Sequence, residues 1–122
     1  MRVKTTIILL MLFQLMTTMT MAMVLSIAPA MGTFFNIEIA LVPYLNIGFV
    51  VSGMLVPIFG YYADKQGVKK ILVLGAFLFS LGTLLTAFAK SPSIYFFTRM
   101  LIGIGHNVFF ALVANYASRL VE

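Results

Sequence analysis

Four long apolar stretches, separated by three short polar ones, make up this chain. The first runs from Thr5 to about Ala30 without a charge, with Gln14 as its one amide. The second, about Ile39 to Tyr62, is also uncharged and ends at "GYYADKQGVKK", the most polar stretch of the chain. The third runs from about Lys70 to Ala89, and the fourth from near Ser93 to about Leu120. Crossing about 30 Å of hydrocarbon at about 1.5 Å per residue takes about 20 helical residues, so each stretch is long enough for one span. The pattern predicts an all-α, polytopic membrane protein with transmembrane helices over 5–30, 39–62, 70–89 and 93–120. Between them, "MGTFFNIE" is expected as a loop, "GYYADKQGVKK" as a charged turn, and "AKSPS" as the last turn. In "KSPSIYFF", Ser91 suits a helix cap and Pro92 the first helical position, where its missing N–H costs nothing. Tyr95, Phe96 and Phe97 then fall where an interfacial aromatic belt belongs.

Composition supports this. Of 122 residues, 62% are hydrophobic and 9% charged, and the mean hydropathy is +1.11. A soluble domain carries about 25% charged residues, and a chain this short has no core large enough to hide so much apolar surface. The lipid bilayer is therefore the expected solvent and partner. The net charge of +5 does not imply nucleic acid, because no continuous basic face is available to follow a phosphate backbone. The basic residues flank the apolar stretches instead. With the N-terminus inside, the cytoplasmic ends receive Arg2, Lys4, Lys65, Lys69, Lys70 and Arg119, and the outside receives Lys90 and Glu38. The positive-inside bias gives an N-in, C-in topology and no soluble domain. The opening "MRVKTTIILLMLF", with Ala28-Pro29-Ala30 after it, superficially resembles a cleaved signal peptide. However, the apolar run is longer than the roughly 7–15 residues of a signal core, so a retained span is expected. With no cysteine and one histidine, disulfides, thiolate chemistry and a metal site are excluded. No nucleophile–base set points to an enzyme, and no cofactor is implied.

Small and polar residues recur at helical spacing. On the second span Asn46, Gly53, Pro57, Gly60 and Asp64 fall in one angular band, ignoring any kink at Pro57. Gly75, Gly82, Thr86 and Ala89 form a similar stripe on the third. In lipid, small stripes let helices approach closely. The second-span stripe reads either as tight packing or as a sliding seam, since it runs into the charged cluster. On the fourth span Arg99 lies about six residues inside the outer end. A charge at membrane depth costs roughly 2.5–3.5 kcal/mol on insertion scales, which marks a functional candidate; the alternative is snorkelling to the interface. Gly103, His106 and Phe110 share its face. His106 reads as a hydrogen-bonded packing residue or, alternatively, as a protonation site. On the first span Gln14, Thr17, Thr18 and Met21 lie on one side, as either a weakly polar cavity wall or lipid-facing filler. Gln14, Thr17, Asn46 and His106 are the candidate cavity-lining residues.

At the charged cluster the sequence resembles a known family. "GYYADKQGVKK" is similar to the turn between the second and third helices of the major facilitator superfamily, G-x-L-A-D-[RK]-x-G-[RK]-[RK]. Gly60, Ala63, Asp64, Lys65, Gly67 and Lys69 match it. Tyr62 replaces the leucine and Val68 the first basic residue after the second glycine, while Lys70 keeps charge nearby. "RMLIGIG", with Arg99, Gly103 and Gly105, resembles the fourth-helix motif R-x-x-x-G-x-G of proton-coupled members. The resemblance covers the whole chain and is nearest to the drug–proton antiporter-like branch.

What the resemblance implies is an alternating-access transporter of twelve helices in two bundles around a midplane site, in a cell membrane, with a bacterial inner membrane expected. The chain then corresponds to the first four helices and is expected to be an inactive fragment on its own. Its partners would be the later helices of the same transporter and a small-molecule substrate, exported with proton coupling. Gly60, Asp64, Lys65, Gly67, Lys69 and Lys70 would form a conformational gate. There Asp64 acts as a latch on the positive end of a second-half helix, Gly60 allows close approach, and Gly67 frees the turn. Arg99 would lie close to the proton-coupling machinery, although no carboxylate lies within these spans. Two other classes fit four spans: a small multidrug transporter working as a dimer, and a non-transporting scaffold subunit. The first depends on an acidic residue in its first helix, where this chain has Gln14. The second leaves Asp64 and Arg99 unexplained.

Overall fold

The computed structural model describes residues 2–121, which form α1 (Arg2–Ser26), α2 (Ala28–Phe35), α3 (Ile47–Ser52), α4 (Val56–Gln66), α5 (Val68–Thr86) and α6 (Pro92–Val121). Two 3-10 segments, Ile39–Asn46 and Gly53–Leu55, join α3 and α4 into one helical column from Ile39 to Gln66. Four helices, Arg2–Ser26, Ile39–Gln66, Val68–Thr86 and Pro92–Val121, are long and apolar enough to cross a membrane.

Where helices break, proline, glycine or asparagine explains it. Pro29 has no N–H for the Leu25 carbonyl. The chain slips at Ile27 and resumes as α2, with Ile27 N–H on the Met23 carbonyl at 3.1 Å and Met31 N–H on the Ile27 carbonyl at 2.9 Å. The expected loop "MGTFFNIE" is mostly helical, since α2 continues to Phe35. Asn36 ends it in the left-handed conformation at φ 55°, and Ile37 N–H returns to the Gly32 carbonyl at 3.0 Å. Asparagine tolerates that geometry better than other non-glycine residues, which makes it a helix stop.

The charged cluster is not an extended turn. α4 carries it to Gln66, α5 resumes at Val68, and Gly67 is the single residue between them. Gly67 has φ 98°, and its N–H caps α4 on the Ala63 carbonyl at 2.9 Å. A side chain at that φ is strained by roughly 1–3 kcal/mol. Gly67→Ala is therefore expected to lower thermal stability by about that amount although the space around it is open. An unchanged melting curve would show that the link relaxes at no cost.

Packing centres on α6. One face meets α5 through Gly105, whose missing Cβ would collide with the Gly75 carbonyl oxygen and the Phe79 backbone. Further along, a Cβ on Gly82 would lie 2.7 Å from Ile102 Cγ1. The opposite face meets α3 through Gly103, against Ser52 and the Phe49 backbone. Three apolar clusters fill the seams. Phe49, Phe79 and Ile102 form the middle one. Val68, Ile71, Leu72 and Val108 lie toward the Gly67 end, and Val24, Val42, Ala89 and Tyr95 toward the other. α1 stands furthest from this core, with Met11, Met16, Met19 and Met23 exposed. At the start of α6, Ser91 Oγ accepts the Ile94 N–H at 3.3 Å.

Hydroxyls in the spans are satisfied within their own helices. Thr17 and Thr18 donate to the Gln14 carbonyl at 2.8 and 3.0 Å, Thr20 to Met16, Thr83 to Phe79 and Thr86 to Gly82. Each donor is thus paired without a second helix, as a membrane interior demands.

Candidate functional site

Arg99 stands about two turns into α6, and three other elements converge on it. It is 2% exposed and turned into the bundle, not toward an interface. From the second column, Asn46 Oδ1 accepts its Nε–H at 2.9 Å. From α1, Met21 Sδ accepts from Nη2 at 3.3 Å. The Phe49 and Tyr95 rings flank the guanidinium carbon at 5.6 and 5.9 Å from their centroids. No carboxylate pairs with it among the described residues, since Glu38 and Asp64 lie at helix ends. Four neutral groups carry the charge instead. A hydrogen bond from a charged donor is worth about 1.5–3 kcal/mol and a cation–π contact about 0.5–2 kcal/mol. Together they offset the roughly 2.5–3.5 kcal/mol that the buried charge costs.

The first-span side chains expected to act together separate into three places. Met21 belongs to the arginine site. Gln14 and Thr18 border an open cleft of about 440 Å³ between α1 and α6, otherwise walled by apolar residues such as Leu10, Met11 and Val113. Gln14 Nε2 donates to Thr18 Oγ1 at 3.4 Å, and its Oε1 is shut away without a partner among the described residues. Thr17 lines no part of that cleft. It is 1% exposed, with its hydroxyl bonded to its own helix. Asn46 serves Arg99. His106 lies between the Phe49 and Phe110 rings, at 5.2 and 6.2 Å, and its Nδ1 is buried without a partner among the described residues. Phe110 itself is 64% exposed, so the face shared with Arg99 leaves the interior within three turns.

The second-span stripe is also divided. Each 3-10 residue turns about 120° against about 100° in an α-helix, so Gly53–Leu55 rotates α4 relative to α3 by about 60°. Asn46 and Gly53 therefore look toward α6, where a Cβ on Gly53 would lie 3.5 Å from the Asn107 amide nitrogen. Gly60 has nothing within 4 Å of its Cβ position, and Asp64 is exposed at the end of α4. Lys65 lies 4.5 Å above the Tyr61 ring rather than against Asp64. Lys69 and Lys70 are exposed on the first turn of α5. Val68, which departs from the family pattern, is 5% exposed and packs with Ile71 and Leu72, so its change from a basic residue serves the core.

Sequence reasoning missed Ser52 and Asn107. Asn107 Nδ2 donates to Ser52 Oγ at 3.2 Å and to the Phe49 carbonyl at 3.3 Å, joining the second column to α6. The signal was Ser52, a small polar residue inside the second span, together with an amide side chain one position beyond His106 on the fourth.

Comparison with known proteins gives the family. The chain is 26% identical over 97 residues to multidrug resistance protein 2 of Bacillus subtilis, covering 79% of this chain and 24% of that protein. It is 41% identical over 56 residues to the methyl viologen resistance protein SmvA of Salmonella typhimurium, covering 46% and 11%. It is 34% identical over 85 residues to protein spinster homolog 1 of Xenopus laevis, covering 67% and 16%. The chain thus spans a quarter or less of these relatives' lengths. No solved structure matches it significantly. The pattern of the Major Facilitator Superfamily matches residues 10–122. With its four membrane-length helices, the chain belongs to the Major Facilitator Superfamily.

Proposed function

We propose that the chain supplies the first four helices of a twelve-helix, alternating-access transporter that exports small organic molecules in exchange for protons, set N-in in a bacterial inner membrane. The observation that carries this reading is the inward-turned Arg99 with only neutral partners. A structural cation in lipid is costly, and a site held ready by Asn46 and Met21 suits a charge that acts on a neighbouring group. A carboxylate from the later helices is the expected neighbour, its protonation being tuned by the guanidinium. Similarity to a multidrug and a methyl viologen resistance protein supports efflux of organic compounds. The test is proton-driven efflux of a fluorescent organic cation from inverted vesicles holding the complete transporter. Absence of pH-gradient-dependent flux would overturn the reading.

In the same reading, Asp64 at the cytoplasmic end acts as the latch. It is exposed, without an ion pair among the described residues, while the nearest lysine engages Tyr61. Its carboxylate is thus available to the positive end of another helix. Asp64→Asn in the complete transporter is expected to reduce flux while insertion stays normal. Flux equal to that of the native protein would remove the latch.

A further inference from the structure

Between Phe49 and Pro57 the second column changes its hydrogen-bond pattern, and each released group can be followed. Pro57 has no N–H, so the Gly53 carbonyl four residues earlier lacks its α-helical donor. Val56 N–H takes that carbonyl instead, in a 3-10 turn. At the upstream edge of the turn, the N–H groups at the Gly53 cap reach the Val50 and Val51 carbonyls. The Gly53 N–H, the α-helical donor for the Phe49 carbonyl, is thereby drawn toward the next carbonyl along. Two side chains add donors at the Phe49 carbonyl: Ser52 Oγ at 2.5 Å and Asn107 Nδ2 at 3.3 Å. The same amide donates to Ser52 Oγ at 3.2 Å. One side chain of α6 therefore stands at the interruption of its neighbour.

The two halves of the column are held unequally. α3 buries Gly48, Phe49 and Ser52, the last two against Gly103 of α6. α4 buries Ala63 alone, and Gly60 touches nothing along its side. Proline interruptions with substitute hydrogen bonds are where membrane helices bend.

We propose that the column is articulated at Gly53–Pro57, and that Asn107 is the positioning residue that pins the α3 side to α6 while α4, with Asp64 at its end, pivots. The pivot's purpose rests on the transport reading; its existence does not. Spin labels on the exposed positions Gln66 and Ser118 follow α4, and on Val50 and Phe97 follow α3; these 122 residues hold no cysteine to compete, and any cysteine in later helices of the complete transporter is first replaced. In lipid nanodiscs, Asn107→Leu is expected to broaden the Gln66–Ser118 distance distribution and leave the Val50–Phe97 one unchanged. The amides of Gly53–Val56 should exchange about fivefold faster, the equivalent of one net hydrogen bond. Pro57→Ala, which restores the N–H, is expected to narrow the Gln66–Ser118 distribution, and it decides the matter if Asn107→Leu does not fold. Unchanged Gln66–Ser118 distances, or a broadening of both pairs together, would overturn the pivot. Neither measurement uses a substrate, so loss of flux in Asn107→Leu with unmoved distances removes the pivot and leaves the transport reading standing.

Discussion

Arg99→Met in the complete transporter is expected to fold at least as stably as the native protein and to lose about tenfold or more of its flux, equivalent to about 1.4 kcal/mol of barrier. The two halves of that expectation have separate causes. Methionine fills a similar volume between Phe49, Tyr95 and Met21 while removing the burial cost of a charge, and well-packed apolar replacements of buried ions are often neutral or stabilising. Function is expected to fall because, in the proposed reading, the guanidinium acts on a carboxylate of the later helices. Asn46 Oδ1 loses its donor but sits part-buried, and it can turn toward water or another polar group. Arg99→Lys is expected to rescue little, because an ammonium is a point charge without the planar fork that meets Asn46 and Met21 together. Flux and melting temperature in one detergent-to-liposome series check both parts. Native flux from the methionine variant would reduce Arg99 to packing.

The second large effect is steric. Gly103→Ala and Gly105→Ala are each expected to cost about 3 kcal/mol or more of stability, the upper end of overpacking penalties. At Gly105 the new Cβ meets the backbone of Gly75 and Phe79, and at Gly103 it meets Ser52 Oγ and lies 2.8 Å from Phe49 Cα. Backbone cannot rotate out of the way as a side chain can. The two glycines face opposite neighbours, so their costs should add rather than overlap. Gly60→Ala is the internal control. With nothing within 4 Å, it should leave the four helices as stable as before, or gain up to about 1 kcal/mol in helix propensity. Chemical unfolding of the three variants in micelles orders them. A Gly105→Ala protein unfolding with the native midpoint would mean that α5 and α6 are not in such close contact.

The four helices were legible because hydrocarbon crossing needs length and apolarity, and both are properties of composition along a window. Arg99 and the glycines of α6 were legible for the same reason, as polar or very small residues inside such a window. What escaped was local. The 3-10 turn at Gly53–Leu55 broke a stripe that a constant 100° step had drawn straight, so Gly60 and Asp64 parted from Asn46. The extension of α2 to Phe35 depended on Asn36 taking a left-handed backbone, which hydropathy does not register. The charged cluster looked like a turn because polarity usually marks one, yet a lone glycine suffices to reverse direction between two helices. Thr17 was misplaced because a hydroxyl bonded to its own backbone behaves as an apolar group.

That last property has a consequence for how such a chain can change over time. On α1, position 20 presents to the surroundings only the methyl side of a self-satisfied hydroxyl. Threonine there is interchangeable with valine at little cost, and the adjoining exposed methionines with other flexible apolar residues. α6 has no comparable freedom, fixed on one face by Gly103 and Asn107 and on the other by Gly105. Substitutions are therefore expected to accumulate on the first span and to be purged from the fourth, so that two chains of this design can differ along most of one helix and still share the other almost letter for letter.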